Sequence, residues 1–210
     1  MYCPPLFRED RLEVQHAFIR SHPLGLLISF GPSGLLANLL PFELRSEGGE
    51  RGVLRAHMAR ANPQWREIDG QSVLVVFRGT DAYVSPSLYV TKKETGKVVP
   101  TWNYTMVQAR GTAQLREHAD WLSQQLGSLT AAQEASRPQP WAVSDAPADY
   151  IEMQKKNIIG LQIEIATLEG KWKVSQNQPE ANRRSVAAAF EAQAPTREMA
   201  ELVRRYGKLE

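Results

Sequence analysis

The chain has 210 residues, 42% of them hydrophobic, which suits one domain, or one with appendages, and is enough to bury a sizeable core. Its 25 Lys and Arg against 23 Asp and Glu leave a formal charge of +2, too weak to argue for nucleic acid by itself. A single cysteine, Cys3, excludes an internal disulfide and any multi-cysteine zinc site, and fits a reducing cytoplasm.

Residues 10–21 are expected to form a helix stopped by Pro23, with Leu12, Gln15, His16 and Ile19 on one face. Two apolar runs, 25–30 and 35–44, flank Gly31-Pro32-Ser33-Gly34 and read as a hairpin. The polar loop 45–51 leads into a strand over 52–56 that ends at His57. Asn62 is a good N-cap and Pro63 suits the first helical position, which predicts a short helix through Asp69. Strands are expected over 72–78 and 82–89, divided by a Gly79-Thr80-Asp81 turn, with Tyr83 and Tyr89 on one face. A further strand covers 101–116. About six strands at hairpin spacing predict a closed or sandwiched antiparallel sheet.

Beyond Arg116, helices are expected over 119–135 and 148–156, separated by Arg137-Pro138-Gln139-Pro140-Trp141. The apolar run 158–168 reads as a strand returning to the sheet. Two helices rich in Arg, Ala and Glu, 183–192 and 197–206, are expected to dock only loosely. Trp65, Trp121 and Trp141 read as core residues. The stretch Lys92-Lys93-Glu94-Thr95-Gly96-Lys97 reads as a solvated loop. Lys155-Lys156, Arg183-Arg184 and Arg204-Arg205 read as solvated helix faces. No apolar run is long enough to cross a bilayer, and Met1 leads into Pro4-Pro5 rather than a signal peptide, so a cytoplasmic protein is expected.

Several segments carry chemistry. Arg60 beside a helix start at Asn62 reads, on this segment alone, as a capped surface helix with a solvated arginine before it reads as an anion site. Trp102 and Asn103 put a flat ring next to an amide, but a regular strand would send them to opposite faces. Lys171 and Lys173 share a face opposite Trp172 for the same reason. The four histidines, His16, His22, His57 and His118, show no paired metal spacing, and no metal is expected. His57 is either a general base or a histidine satisfied in the core. Neither a glycine-rich dinucleotide fingerprint nor a phosphate loop is present.

Taken together, six stretches resemble the PaiB-type family of FMN-binding transcriptional regulators. They are Met1-Tyr2 with Pro4; His57-Met58-Ala59-Arg60-Ala61-Asn62-Pro63-Gln64-Trp65; Tyr83-Val84-Ser85-Pro86-Ser87-Leu88-Tyr89; Val99-Pro100-Thr101-Trp102-Asn103-Tyr104; Asp145-Ala146-Pro147-Ala148-Asp149-Tyr150; and Glu169-Gly170-Lys171-Trp172-Lys173-Val174-Ser175-Gln176-Asn177. The resemblance implies a mostly β, α+β fold: an antiparallel FMN-binding split β-barrel of six or seven strands with peripheral helices, similar to pyridoxamine phosphate oxidase. It implies a homodimer acting in negative transcriptional regulation. The barrel would occupy 1–178, with a helical extension over 179–210. On that reading Arg60 and Asn62 take the FMN phosphate, and Trp102 and Asn103 lie near the ring. Lys171, Trp172, Ser175 and Gln176 form a closing wall. The near-balanced charge argues that any DNA binding is weak, salt-dependent and without sequence choice, resting on Arg183, Arg184, Arg204 and Arg205. A different class of function, a flavin-dependent oxidoreductase acting on a small molecule, fits the same residues.

Overall fold

The apolar runs on either side of Pro32-Ser33 do pair with each other. A computed structural model, which describes residues 1–209, forms strands β2 (Leu24–Gly31) and β3 (Gly34–Pro41) there as an antiparallel hairpin, with Leu26 opposite Leu39 and Phe30 opposite Leu35. Gly34 closes the turn at a φ of 87°, which a side-chain-bearing residue rarely adopts. The other strands are β1 (Arg8–Glu9), β4 (Glu43–Arg45), β5 (Val53–Ala59), β6 (Ser72–Val84), β7 (Thr101–Arg116) and β8 (Ile158–Lys173). The helices are α1 (Leu12–Ser21), α2 (Trp65–Ile68), α3 (Lys92–Thr95), α4 (Ala119–Glu134), α5 (Ala148–Lys155), α6 (Glu180–Glu191) and α7 (Arg197–Gly207).

The hydrogen-bonded order is β3-β2-β6-β7-β8-β5-β4, with β1 pairing to β8. The registers of β1 against β8, of β2 against β3 and β6, and of β5 against β4 and β8 are antiparallel. The path does not close on itself. β3 and β5 come into contact without a ladder between them, which is the split of a split barrel. The fold is therefore the expected antiparallel split barrel with peripheral helices, built from eight strands rather than six or seven.

Five expectations about elements need correction. Gly79-Thr80-Asp81 makes no turn: β6 runs through it, with Arg78 ion-paired to Asp81 along the strand. Tyr89 accordingly leaves the strand behind, so Tyr83 is exposed while Tyr89 is buried after the 3-10 turn Pro86–Leu88. The run 35–44 breaks at Phe42, whose N–H donates to Pro23 O at 2.8 Å instead of continuing the β2–β3 ladder. Asn62 accepts from Gln64 N at 3.0 Å, closing a turn rather than opening a helix, and helical structure starts only at Trp65. Strand β8 continues past Leu168 to Lys173. It stops because the Gln176 side chain takes the next backbone partners: its Oε1 accepts from Val174 N at 2.8 Å and its Nε2 donates to Trp172 O at 2.5 Å.

The chain divides into two compact units. One comprises Met1–Arg11, Arg78–Val107 and the chain from Glu169; the other comprises Leu12–Phe77 and Gln108–Leu168. The core of the second is apolar, with Leu27, Leu54, Ile68, Val75, Phe77, Ile159, Leu161 and Ile163 fully buried. On one face of β5, Arg55 lies under the Trp121 ring and His57 Nδ1 meets Gln125 Oε1 at 2.9 Å, so α4 covers that face through polar and aromatic groups. Gly160 is needed there, because a Cβ at that position would strike the Trp121 ring.

The core of the first unit corrects a further expectation. Helices α6 and α7 are not loosely docked: Val186, Phe190, Met199 and Val203 recur at four-residue spacing and bury against Val84, Tyr89 and Val174. Each such side chain contributes roughly 1.5–3 kcal/mol when fully buried. Of the tryptophans read as core, Trp65 and Trp121 are half-buried and Trp141 is exposed. Lys155, read as solvated, is buried with Ser123 Oγ at 2.8 Å and Glu152 at 2.5 Å. No helix among the described residues is long and apolar enough to cross a membrane.

Candidate functional site

Two strands of the first unit line an open cavity. Along β7, Thr101, Trp102 and Tyr104 contribute to a cavity of about 530 Å³; along β8, Lys171 and Lys173 do the same. The N-terminal segment supplies Tyr2, Pro4 and Phe7. That volume lies within the usual range for small-molecule and cofactor sites.

The two lysines set the electrostatics. Lys171 is only 8% exposed; its Nζ donates to Tyr2 O at 3.0 Å and sits 5.5 Å and 5.3 Å from the Tyr2 and Tyr104 ring centres. Lys173 donates to Thr101 Oγ1 at 2.5 Å and to Trp102 O at 2.6 Å. Neither ammonium forms an ion pair among the described residues. Burial, and then the neighbouring Lys171 charge, lower the Lys173 pKa from its ordinary value of 10.5. Two cations met only by carbonyls, a hydroxyl and ring faces make an uncompensated positive wall, and an anion beside them is favoured. Trp102, 53% exposed, stands at this cavity with Tyr83 edge-on at 5.7 Å. Flat aromatic surface beside fixed positive charge is the chemistry that an anionic planar cofactor requires, and FMN fits this donor set.

The opposite strand faces do something else. Asn103 is fully buried, its Nδ2 donating to Ser175 Oγ at 2.9 Å, while Ser175 Oγ lies 3.2 Å from Asn103 Oδ1. This pair holds Ser175 at a φ of 67°, a left-handed conformation uncommon outside glycine. Trp172 is 3% exposed and stacks on Tyr206, with centroids 6.3 Å apart. Of the eight residues named from sequence, the structure thus brings Trp102 and Lys171 to one cavity. Asn103, Trp172, Ser175 and Gln176 lie beside it in contacts within the chain. Arg60 and Asn62 belong to the second unit, where Arg60 Nη2 meets Glu117 at 2.8 Å and Trp65 Nε1 donates to Arg60 O at 3.0 Å. Gln64 fastens the same loop, its Nε2 donating to Ser29 Oγ and its Oε1 accepting from Asn38 Nδ2, each at 2.9 Å.

Lys173 and Tyr104 were absent from the expected site although period-two spacing from Lys171 and Trp102 points to both. Tyr2 and Phe7 carry no such signal. They reach the cavity because β1 pairs with β8, Arg8 opposite Lys171 and Glu9 opposite Gly170, which no local pattern reveals.

The family described as "Putative FMN-binding domain" matches residues 1–167. An uncharacterized protein of Emericella nidulans is 37% identical over 91% of this chain and 90% of its own length. The Protease synthase and sporulation protein PAI 2 of Bacillus subtilis is 29% identical over 97% of this chain and 96% of its own. Among solved structures, an FAD and haem binding protein from Mycobacterium smegmatis superposes with a TM-score of 0.60 at 15% identity, covering 79% of this chain and 73% of that one; this likeness concerns the fold. The chain belongs to the FMN-binding domain family that includes the PaiB-type proteins, and its cofactor is FMN.

Proposed function

We propose that the chain acts as an FMN-dependent negative regulator of gene expression, as a homodimer and without reading DNA sequence itself. The observation that carries the cofactor part is the pair Lys171 and Lys173, without an ion pair among the described residues and facing an aromatic-walled cavity. Lys171 and Lys173 hold the anionic part of the flavin, and Trp102 with Tyr104 packs on its planar part. Bound FMN supplies hydride or single-electron transfer. The residues of the chain bind and orient it and keep water from one side. The assignment of Arg60 and Asn62 to the phosphate is a separate proposal.

A regulatory role is supported by the name of the Bacillus subtilis relative. Indirect action is supported by how the terminal arginines are engaged. Of the four terminal arginines, Arg184 Nε donates to Glu180 at 2.8 Å and Arg204 is ion-paired with Glu191, so two of the four already have a carboxylate beside them. The homodimer is supported by the β2–β3 hairpin, where Phe30 and Leu35, directly opposite each other, are 73% and 75% exposed, with Leu24 and Leu39 also exposed. An apolar sheet face of this kind marks an interface. The flavin spectrum after FMN loading and desalting, sedimentation of the loaded protein, and a mobility shift at physiological salt test the three parts. Absence of flavin bands, a monomer, or tight binding to one promoter over scrambled DNA each removes the corresponding part.

The exposed Tyr83–Trp102 pair favours a second reading, a flavin-dependent oxidoreductase, since a small planar molecule can pack on it beside the flavin. Steady oxidation of NADH or NADPH by the FMN-loaded protein with an acceptor supports that reading. Failure of both to bleach the flavin counts against these donors.

A further inference from the structure

The family match ends at residue 167, yet both cavity lysines lie beyond it, and so does the residue that braces them. Tyr206, near the end of α7, makes two contacts at one point. Its ring stacks on Trp172, between Lys171 and Lys173 in sequence, at 6.3 Å and an interplanar angle of 29°. Its hydroxyl donates to Glu9 Oε2 at 2.7 Å. Glu9 is 3% exposed and sits opposite Gly170 in the β1–β8 register, while its neighbour Arg8 sits opposite Lys171. Arg11 completes the cluster, donating to Glu9 through Nε at 2.7 Å and through its backbone N at 3.1 Å.

A two-residue strand has too few ladder bonds to hold its own position. β1 carries the segment that delivers Tyr2, Pro4 and Phe7 to the cavity. We propose that Tyr206 is a positioning residue of the cofactor cavity: bonded to Glu9 and stacked on Trp172, it clamps β1 to β8, so that Tyr2 and Lys171 meet one ligand. The inference rests on the reading that this cavity takes FMN. The protonation states suit the clamp. Burial and the bond to Glu9 push the Tyr206 phenol up to about 12, so it remains a donor at neutral pH. Burial alone would raise the Glu9 pKa, but hydrogen bonds from Arg11 and Tyr206 hold it below its ordinary value.

The experiment compares the full chain with Tyr206→Phe, which keeps the ring and removes only the bond to Glu9, and with Met199→Ala, which opens the α7 core about two helical turns before Tyr206 and removes neither the Glu9 bond nor the Trp172 stack. FMN binding is read by quenching of flavin fluorescence. Backbone hydrogen exchange at 8–9 and 169–173 is read without flavin. Tyr206→Phe is expected to weaken FMN about tenfold, the usual scale for one bond to a buried charge. It should also speed exchange of those amides by about tenfold. Met199→Ala lowers the melting temperature and leaves both readouts at the wild-type value. Equal FMN losses in the two variants, or unchanged exchange at 169–173 in Tyr206→Phe, overturn the proposal. A wild-type chain that fails to bind FMN defeats the cavity reading instead, and the exchange data then decide the clamp separately.

Discussion

Lys171 in the first unit and Arg55 in the second are each 8% exposed, and each lies against an aromatic ring. Arg55 rests 4.4 Å from the Trp121 ring centre under α4, with Glu43 opposite it in the β4–β5 register. Burial lowers the Arg55 pKa, and the Glu43 charge opposes that shift. Lys171 has a second lysine beside it and a cavity in front of it. A cation on a ring is thus common to both places and does not by itself mark a site. What separates them is whether a carboxylate of the chain acts on the charge, as Glu43 does on Arg55, or the charge is left facing open volume. The first reads as structure, the second as a place for an anion.

The comparison breaks most directly at the lysines. Replacing both Lys171 and Lys173 by Ala removes two charge-assisted contacts, and FMN affinity is expected to fall by about 100-fold or more. The melting temperature of the flavin-free protein should hold or rise, since two like charges are removed. Affinity within threefold of wild type in a titration followed by fluorescence would place the flavin elsewhere.

Arg55→Ala is the converse. It uncovers Trp121 and removes the charge facing Glu43, at an expected cost of about 2 kcal/mol in urea denaturation. FMN affinity should stay within twofold. A variant of unchanged stability that no longer binds FMN would reverse the roles assigned to the two cations.

A pH series sharpens the same contrast. The folded, flavin-free chain holds Lys173 at a lowered pKa, so its charge is lost below 10.5, earlier than in an ordinary lysine. The charged form is the one that attracts FMN. Affinity is therefore expected to be flat through neutral pH and to decline by several-fold as the solution turns alkaline, before pH 10.5. In Lys173→Arg that decline should disappear, because a guanidinium stays charged. A decline of the same size in both proteins removes Lys173 from the effect.

How much of this was legible in the sequence follows the range of each signal. β7 and the hairpin of β2 and β3 follow from alternation and from the Gly31–Gly34 turn, both local patterns. Alternation also separates Trp102 from Asn103 and the two lysines from Trp172. The Gly79-Thr80-Asp81 stretch misleads because turn residues stay extended inside a longer strand, and β6, hydrogen-bonded to β2 and β7, runs through it. The packing of α6 and α7 is hidden because their apolar stripes are narrow beside many charges, and only the tertiary fold shows what they cover. The Tyr2 wall and the Glu9–Tyr206 bond join the two ends of the chain, where single-sequence patterns are silent.

The smallest expected effect concerns Arg60, where the two kinds of cation meet in one residue. Its guanidinium is about one-third exposed and already pairs with Glu117 at 2.8 Å, so it resembles Arg55 in having a carboxylate at hand. It differs in that solvent reaches it, and an exposed pair of this sort is worth at most about 1 kcal/mol. The Glu117 contact is therefore weak enough for a phosphate to compete with it. Arg60→Ala should then cost about fivefold in FMN affinity, the equivalent of about 1 kcal/mol, and leave riboflavin, which has no phosphate, unaffected. Equal losses for FMN and riboflavin would take Arg60 off the phosphate and leave it as the partner of Glu117. A loss for FMN alone would show that an internal carboxylate close to a cation does not disqualify it as a ligand group when the pair is open to water.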